Sequence, residues 1–428
     1  MKNWSNTYEY RAPEIVAPTS IDELRRIVAG AKRARPLGSK HSFNGIADTT
    51  GTLIDMTGLP CEVDIDLGAR TATVSGGTKY GVVAAALDDA GYALHNMGSL
   101  PHISVAGAVA TGTHGSGVAN GNLSSAVRGV ELVGPDGELR RVTADDPELA
   151  GSVVALGALG PAVRVTLAIE PRYLIRQDVY RRMPWETLLG SFREVAASAY
   201  SVSVFTGWVA DEVEQLWVKR RVDSADANVD DTYFGAQRDP DERAELVPGI
   251  AENLTRRGAA VPWLHGLPHF RLDTPPSAGD EIQTEYFVAI DDAQAALTAV
   301  RELGDRIAPH LVVTELRTMA ADALWLSPAS GRDSLAIHFT WANHPDEVFA
   351  LLPAIEAALA PFAPRPHWGK LNRVDPAGFA AAYPHLADQR ELVTRYDPEG
   401  KFRNEYLDRV LGLGASAGLP EVSAPMGH

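Results

Sequence analysis

A chain of 428 residues, 45% apolar and 22% charged, can bury large cores and should divide into two domains. Its net charge of −16 argues against nucleic acid and anionic membranes as partners, because no Lys/Arg cluster offsets it locally. The single cysteine, Cys61, excludes an internal disulfide, suits a reducing cytoplasm and is expected as a buried strand residue. The start Met1-Lys2-Asn3-Trp4-Ser5 has no apolar core of a signal, and no apolar run approaches ~18 residues, so neither secretion nor membrane spanning is expected.

Strand and helix signals alternate along the first third. Ser20 and Glu23 form a capping-box pattern ahead of Leu24, Ile27 and Val28, and Arg33–Leu37 follows as a strand, giving a small β-α-β unit. Leu53–Met56, Glu62–Asp66 and Thr71–Val74 read as strands. Tyr80–Ala90 reads as a helix closed by Gly91. Val127–Val133 and Glu138–Val142 flank the turn Gly134-Pro135-Asp136-Gly137. Residues 1–175 thus form an α+β domain, and the character changes from about 176 onward.

In the second domain, Asp223–Asp241 is acidic and poor in apolar residues, the composition of a surface loop. Trp263, His265 and His269 lie in a Pro-interrupted segment and are expected to pack rather than bind a ligand. The strand Leu335–Trp341 has a period of two that puts His338 and Thr340 on one face, with Leu335, Ile337, Phe339 and Trp341 on the other. Glu315 and Arg317 share one side of Leu311–Thr318, and Gln283 and Glu285 one side of Gln283–Ile290. Several strands thus offer polar faces, while helices over Asp291–Ile307 and Asp346–Ala358 are placed to cover the apolar side. Taken alone, Glu315/Arg317 reads equally as a local salt bridge.

The run from Gly91 to Gly117 is almost free of charge and sets Gly107, Gly112, Gly115 and Gly117 among small residues and hydroxyls. Without Cβ atoms, backbone N–H groups approach a phosphate closely; such a run also serves tight turns. A nicotinamide fingerprint is missing, since Gly115-Ser116-Gly117-Val118-Ala119-Asn120 lacks the third glycine and opens no apolar helix. There is no P-loop, and no His-Glu-x-x-His pair or cysteine cluster suggests a metal.

The segment Gly38-Ser39-Lys40-His41-Ser42-Phe43-Asn44, joined to Thr113-His114-Gly115-Ser116-Gly117, resembles the two FAD-embracing loops of the vanillyl-alcohol-oxidase/p-cresol-methylhydroxylase superfamily. Glu315-Leu316-Arg317, His338-Phe339-Thr340-Trp341, Arg365-Pro366-His367-Trp368-Gly369-Lys370 and Asp397–Asn404 resemble, in the right order, its branch of sugar-alcohol and aldonolactone oxidases. Pro101–Gly107 and Gly331-Arg332-Asp333 lean toward alditol oxidases. The resemblance implies an FAD-binding domain over 1–175 in two parts, an antiparallel-sheet substrate (cap) domain over 176–370, and a C-terminal segment, 371–428, returning to the FAD domain.

It further implies FAD attached through His41 to the flavin 8α-methyl. Gly38, Ser39, Lys40, Ser42, Ser99, Ser104, Gly107, Thr111, Gly112, Thr113, His114, Gly115 and Gly117 are expected around the cofactor. Lys40 stands where the commonest form of this loop has glycine; at φ > 0 it costs about 1 kcal/mol, unless its charge meets the pyrophosphate. The implied reaction oxidises the terminal carbinol of xylitol, sorbitol or glycerol, with O2 reduced to H2O2 beside Gly98. Lys370 and Arg317 would face the alkoxide, and His338, or Lys370 itself, would be the base. Glu315, Thr340, Gln283 and Ser99 would hold hydroxyls. The runner-up is an aldonolactone oxidase or dehydrogenase. A cytoplasmic monomer is expected, with no metal, nucleic-acid or membrane partner.

Overall fold

Three parallel strands, Glu14–Val16, Thr52–Asp55 and Ala34–Leu37, open the chain, with the helix Ile21–Gly30 crossing between the first and the last. The computed structural model describes residues 1–223, 229–240, 254–255, 257–274 and 280–414. Ser20 caps the helix by accepting from Glu23 N, as the capping box requires; the Glu23 carboxylate, however, returns to Thr19 rather than to Ser20. A five-stranded antiparallel sheet follows, with Val63–Asp66, Thr71–Ser75, Ala162–Ala168, Val127–Val133 and Leu139–Thr143 in spatial order. The turn after Val133 closes on Gly137 at φ +81, and the helix Tyr80–Asp89 ends at Gly91 at φ +85.

The second layer is a ten-stranded sheet beginning at Leu174. Its centre runs Leu174–Arg181, Gln215–Val222, Ser201–Thr206, Leu311–Met319, Ser334–Ala342 and Glu281–Ala289. Leu335, Ile337, Phe339 and Trp341 point into one apolar core, together with Val300 and Leu297 of the helix Ala293–Arg301 and Leu352 and Ile355 of the helix Pro345–Leu359. After the sheet, the helices Pro376–Ala382, Leu386–Tyr396 and Glu405–Leu411 bury Phe379, Leu392 and Leu407 in the same core as Val74, Val130 and Val165 of the five-stranded sheet.

Three expectations need correction. Cys61 is exposed and lies between strands, not in one. The helix expected over 291–307 breaks after Arg301 and resumes at Gly304–Ile307, because Leu303 leaves helical geometry ahead of the glycine. Within Asp223–Asp241, Thr232–Tyr233 and Ala236–Arg238 form a hairpin on the edge of the large sheet; 224–228 and 241 lie outside the described residues. Among the described residues no helix is long and apolar enough to cross a membrane.

Candidate active site

A single continuous cavity is walled by both layers: Ser39, Lys40, His41, Ser104, Gly107 and Thr111 on one side, Gln283, Glu285, Glu315, Arg317, His338, Thr340 and Lys370 on the other. Its inner end is apolar, with Val109, Val130, Leu132 and Leu159. The two glycine loops are stitched together, since Ser104 N donates to Ser39 Oγ at 2.9 Å and Ser39 N to Ser104 Oγ at 3.3 Å. A Cβ on Gly38 would meet Ser104 Oγ at 2.2 Å, and one on Gly107 the same atom at 2.8 Å. Glycine at these two places lets the Ser39–Ser104 stitch form without displacing the Ser104 hydroxyl. This close-walled, hydroxyl-bearing end beside an apolar one fits FAD.

His41 stacks on Trp4 with ring centres 5.2 Å apart, and its Nδ1 lies 3.0 Å from Ser39 Oγ. Burial pushes its pKa down to about 4, so a neutral ring is presented at neutral pH. Lys40 sits at φ +64, the strained conformation foreseen for a residue in a glycine's place; it lines the cavity, and its ammonium lies 3.7 Å from Asp55 Oδ2. The loop is anchored far along the chain: Asn44 Nδ2 donates to the carbonyls of Trp368 (2.9 Å) and Lys370 (2.8 Å), and Phe43 N to Gly369 O (2.7 Å).

Gly98, Gly112, Gly115 and Gly117 stand behind the cavity wall rather than on it. A Cβ on Gly115 would strike Met97 O at 2.4 Å, and one on Gly117 Tyr200 O at 2.4 Å; φ is +66 at Gly112 and +132 at Gly117. These glycines let protein segments cross. Gly98 has room for a Cβ, whose nearest neighbours would be Ile103 and Thr113 at 3.6 Å. His114 turns under the substrate face, where its Nε2 meets Glu285 Oε1 at 3.2 Å.

Strand register builds that face. Phe205, Glu315, His338 and Glu285 are successive partners across four adjacent strands, and His367 N extends the row by donating to Glu285 O. Thr340 and Gln283 pair in the next row. The period of two thus delivers every polar side chain expected on this face. Glu285, given no role by sequence, is its hub. Its Oε2 accepts from Lys370 Nζ at 2.8 Å and its Oε1 from Arg317 Nη2 at 2.9 Å. Lys370 Nζ also lies 2.7 Å from His338 Nδ1, and His338 Nε2 3.1 Å from Thr340 Oγ1.

Burial works against the Glu285 charge, but Lys370, His114 and Arg317 outweigh it and hold the carboxyl well below the usual range. Burial, reinforced by Lys370, drives His338 well below an ordinary imidazole; it also lowers Lys370, against the pull of Glu285. Arg317 Nη1 donates to Ser99 Oγ at 3.2 Å. Its Nε has no hydrogen-bond partner among the described residues and lies 3.5 Å from Glu315 Oε2. His269 packs as expected, buried against Trp217 and Phe205, but it also reaches the cavity, with its Nε2 2.7 Å from Glu315 Oε1; Trp263 is buried and His265 exposed. Only the common parity of Gln283 and Glu285 pointed toward Glu285, and nothing in the irregular loop pointed to His269.

The family described as FAD binding domain matches residues 12–143, and that of D-arabinono-1,4-lactone oxidase matches 280–410. An alditol oxidase from a Streptomyces species is 43% identical over 414 residues, 96% of this chain and 98% of that protein. An L-gulono-1,4-lactone dehydrogenase from Mycobacterium tuberculosis is 31% identical over 436 residues, 96% and 98% of the two chains. Among solved structures, a variant of cholesterol oxidase from Brevibacterium sterolicum superposes with a TM-score of 0.76 over 96% of each chain at 14% identity, a likeness of fold. The chain belongs to the alditol oxidase family of the vanillyl-alcohol-oxidase/p-cresol-methylhydroxylase flavoproteins.

Proposed function

We propose that this protein oxidises the terminal carbinol of a linear alditol such as xylitol, sorbitol or glycerol to the aldehyde, with O2 taking the two electrons and two protons as H2O2. The observation that carries this reading is the hub at Glu285, which fixes Lys370 and Arg317 as buried cations on a wall rich in hydroxyl partners. FAD, when bound, supplies the hydride acceptor. Lys370 and Arg317 face the substrate oxygen as negative charge grows there, the kind of preorganised stabilisation that is usually a large catalytic term. The hydroxyl proton passes to Lys370 as Lys370 hands one of its own to His338 Nδ1, 2.7 Å away.

Glu315, Gln283, Thr340 and Ser99 hold the neighbouring hydroxyls, so each hydroxyl missing from a substrate leaves a protein group unpaired. His41, neutral in its buried setting, is the tether through the flavin 8α-methyl, and O2 access is assigned to the side of Gly98, just behind the cavity wall, where a Cβ would find room. This reading assigns 1–175 to FAD, 176–370 to the substrate cap and 371–428 to a return to the FAD part, in a cytoplasmic protein. The match of 280–410 to the lactone oxidase family supports a second reading, oxidation of an aldonolactone.

Peroxide release measured with xylitol, sorbitol, glycerol, ethanol and an aldonolactone separates the two. Longer alditols are expected to give the highest kcat/KM, glycerol less and ethanol almost none; a lactone above every alditol overturns the assignment. After acid precipitation, yellow colour is expected to stay with the wild-type protein and to leave His41→Ala. Colour lost from both removes the covalent link.

A further inference from the structure

Behind Glu315 lies a second buried lysine that the reaction described above does not use. Lys219 projects from the strand Gln215–Val222, is 1% exposed, and contacts the carbonyls of Leu267 and Pro268 (3.3 Å) and His269 Nδ1 (3.2 Å). Among the described residues, no carboxylate oxygen lies within 4 Å of its ammonium. A buried charge with no direct counter-ion is costly, so its neighbours must use it. An ammonium has three donors and no acceptor, and Lys219 has three acceptors around it. Nδ1 of His269 therefore receives a proton bond, and the ring's own proton sits on Nε2, which donates to Glu315 Oε1 at 2.7 Å.

The surroundings hold that ring in place. His269 N donates to Ser99 O at 3.1 Å and Thr255 N to His269 O at 2.9 Å. The imidazole meets Trp217 edge-on at 4.9 Å and Phe205 at 5.9 Å. Burial pushes His269 down to about 4, so it carries one ring proton at neutral pH; burial also pushes Lys219 down to about 7, with Glu315 opposing.

We propose that Lys219 and His269 are positioning residues: the lysine sets the tautomer of the imidazole, and the imidazole fixes Glu315 Oε1 so that Oε2 is presented to a hydroxyl neighbouring the reacting carbinol. This rests on the reading of Glu315 as a hydroxyl-binding group. The relay links the Glu315 carboxylate to Ser99 as well, because His269 also bonds Ser99 through its main chain. It fixes Glu315 Oε1, while Oε2 keeps its ion pair with Arg317 Nε at 3.5 Å and is the oxygen left to accept from a hydroxyl.

The test has two arms, both on flavin-loaded protein. With 15N-labelled histidine at pH 6, His269 is expected as the Nε2–H tautomer, and Lys219→Met is expected to shift its Nδ1 resonance. An Nδ1–H ring in the wild type, or no change in Lys219→Met, overturns the relay whatever the substrate. In anaerobic flavin reduction, His269→Phe is expected to raise the substrate Kd about 10-fold while the limiting rate changes less than about 3-fold. His269→Gln, whose amide N–H can replace Nε2–H, should restore most of the affinity, and His269→Phe should add nothing in a Glu315→Ala background, which has no acceptor left to position. An unchanged Kd, or full additivity with Glu315→Ala, overturns the proposal. If His269→Phe does not fold, His269→Gln and Lys219→Met decide through the tautomer and Kd. The predicted tautomer with no reduction by any alditol instead removes the alditol reading and leaves the relay standing.

Discussion

Two buried lysines each touch a histidine Nδ1, in opposite company. Lys370 meets His338 at 2.7 Å and has its own carboxylate, Glu285, at 2.8 Å. Lys219 meets His269 at 3.2 Å, is otherwise bound by carbonyls, and reaches its nearest carboxylate only through the imidazole. In the first trio Glu285 is shared between Lys370 and Arg317, so positive charge is held at the cavity wall where the substrate oxygen becomes negative. In the second, the charge is spent on orientation. The same residue types thus serve proton transfer or geometry according to where the carboxylate stands.

The largest expected effect breaks the first trio at its hub. Glu285→Gln strips the counter-charge from Lys370 and Arg317, and removing one partner of a buried ion pair typically costs about 3–5 kcal/mol. Glu315→Gln keeps an acceptor for His269 and should cost about 1–2 kcal/mol. Urea unfolding of both variants checks this, and equal losses would erase the distinction.

Next comes the rate of flavin reduction. Lys370→Met or Arg317→Ala should slow it at least ~100-fold, whereas Lys219→Met should leave the limiting rate within about 3-fold and act on affinity. Stopped-flow reduction under anaerobic conditions reads both numbers. Near-normal reduction in Lys370→Met would make both lysines structural.

The smallest effect is a dependence of stability on pH. His269 falls to about 4 in the folded protein, so between the unfolded value of about 6.5 and that value the unfolded chain binds a proton the native one refuses. Its contribution to stability is fully present above about pH 6.5 and declines as pH falls toward 4, by at most about 1.4 kcal/mol per pH unit. The low-lying carboxylates Glu285 and Glu315 begin to cost stability only below about pH 4.3, as the unfolded chain takes up their protons. His269→Gln should flatten the upper slope by one proton's worth; an unchanged slope would mean that this ring is charged when folded.

Period-two patterning made the polar face legible, because in a half-buried strand the side-chain direction depends on position alone: Glu315, Arg317, His338, Thr340 and Gln283 all arrive where parity puts them. The strain at Lys40 was legible for a similar reason, being a property of one backbone position. The Glu285 hub was only half visible, since parity gives its face but not the lysine 85 residues away that meets it. Lys219 and His269 left no signal, since a strand residue and an irregular loop 50 positions apart share no period. Cys61 misled because burial habit says nothing of a loop.

The bonds from Asn44 to the carbonyls of Trp368 and Lys370 span 324 and 326 positions of sequence. During synthesis the His41 loop leaves the ribosome long before its anchors exist; at ~5–20 residues per second the delay is about 16–65 s. The cofactor pocket is therefore finished by the last third of the chain to be made, and its assembly is a late event. A ribosome-stalled chain ending before Trp368 would carry both glycine loops and still lack the buttress that shapes one of them.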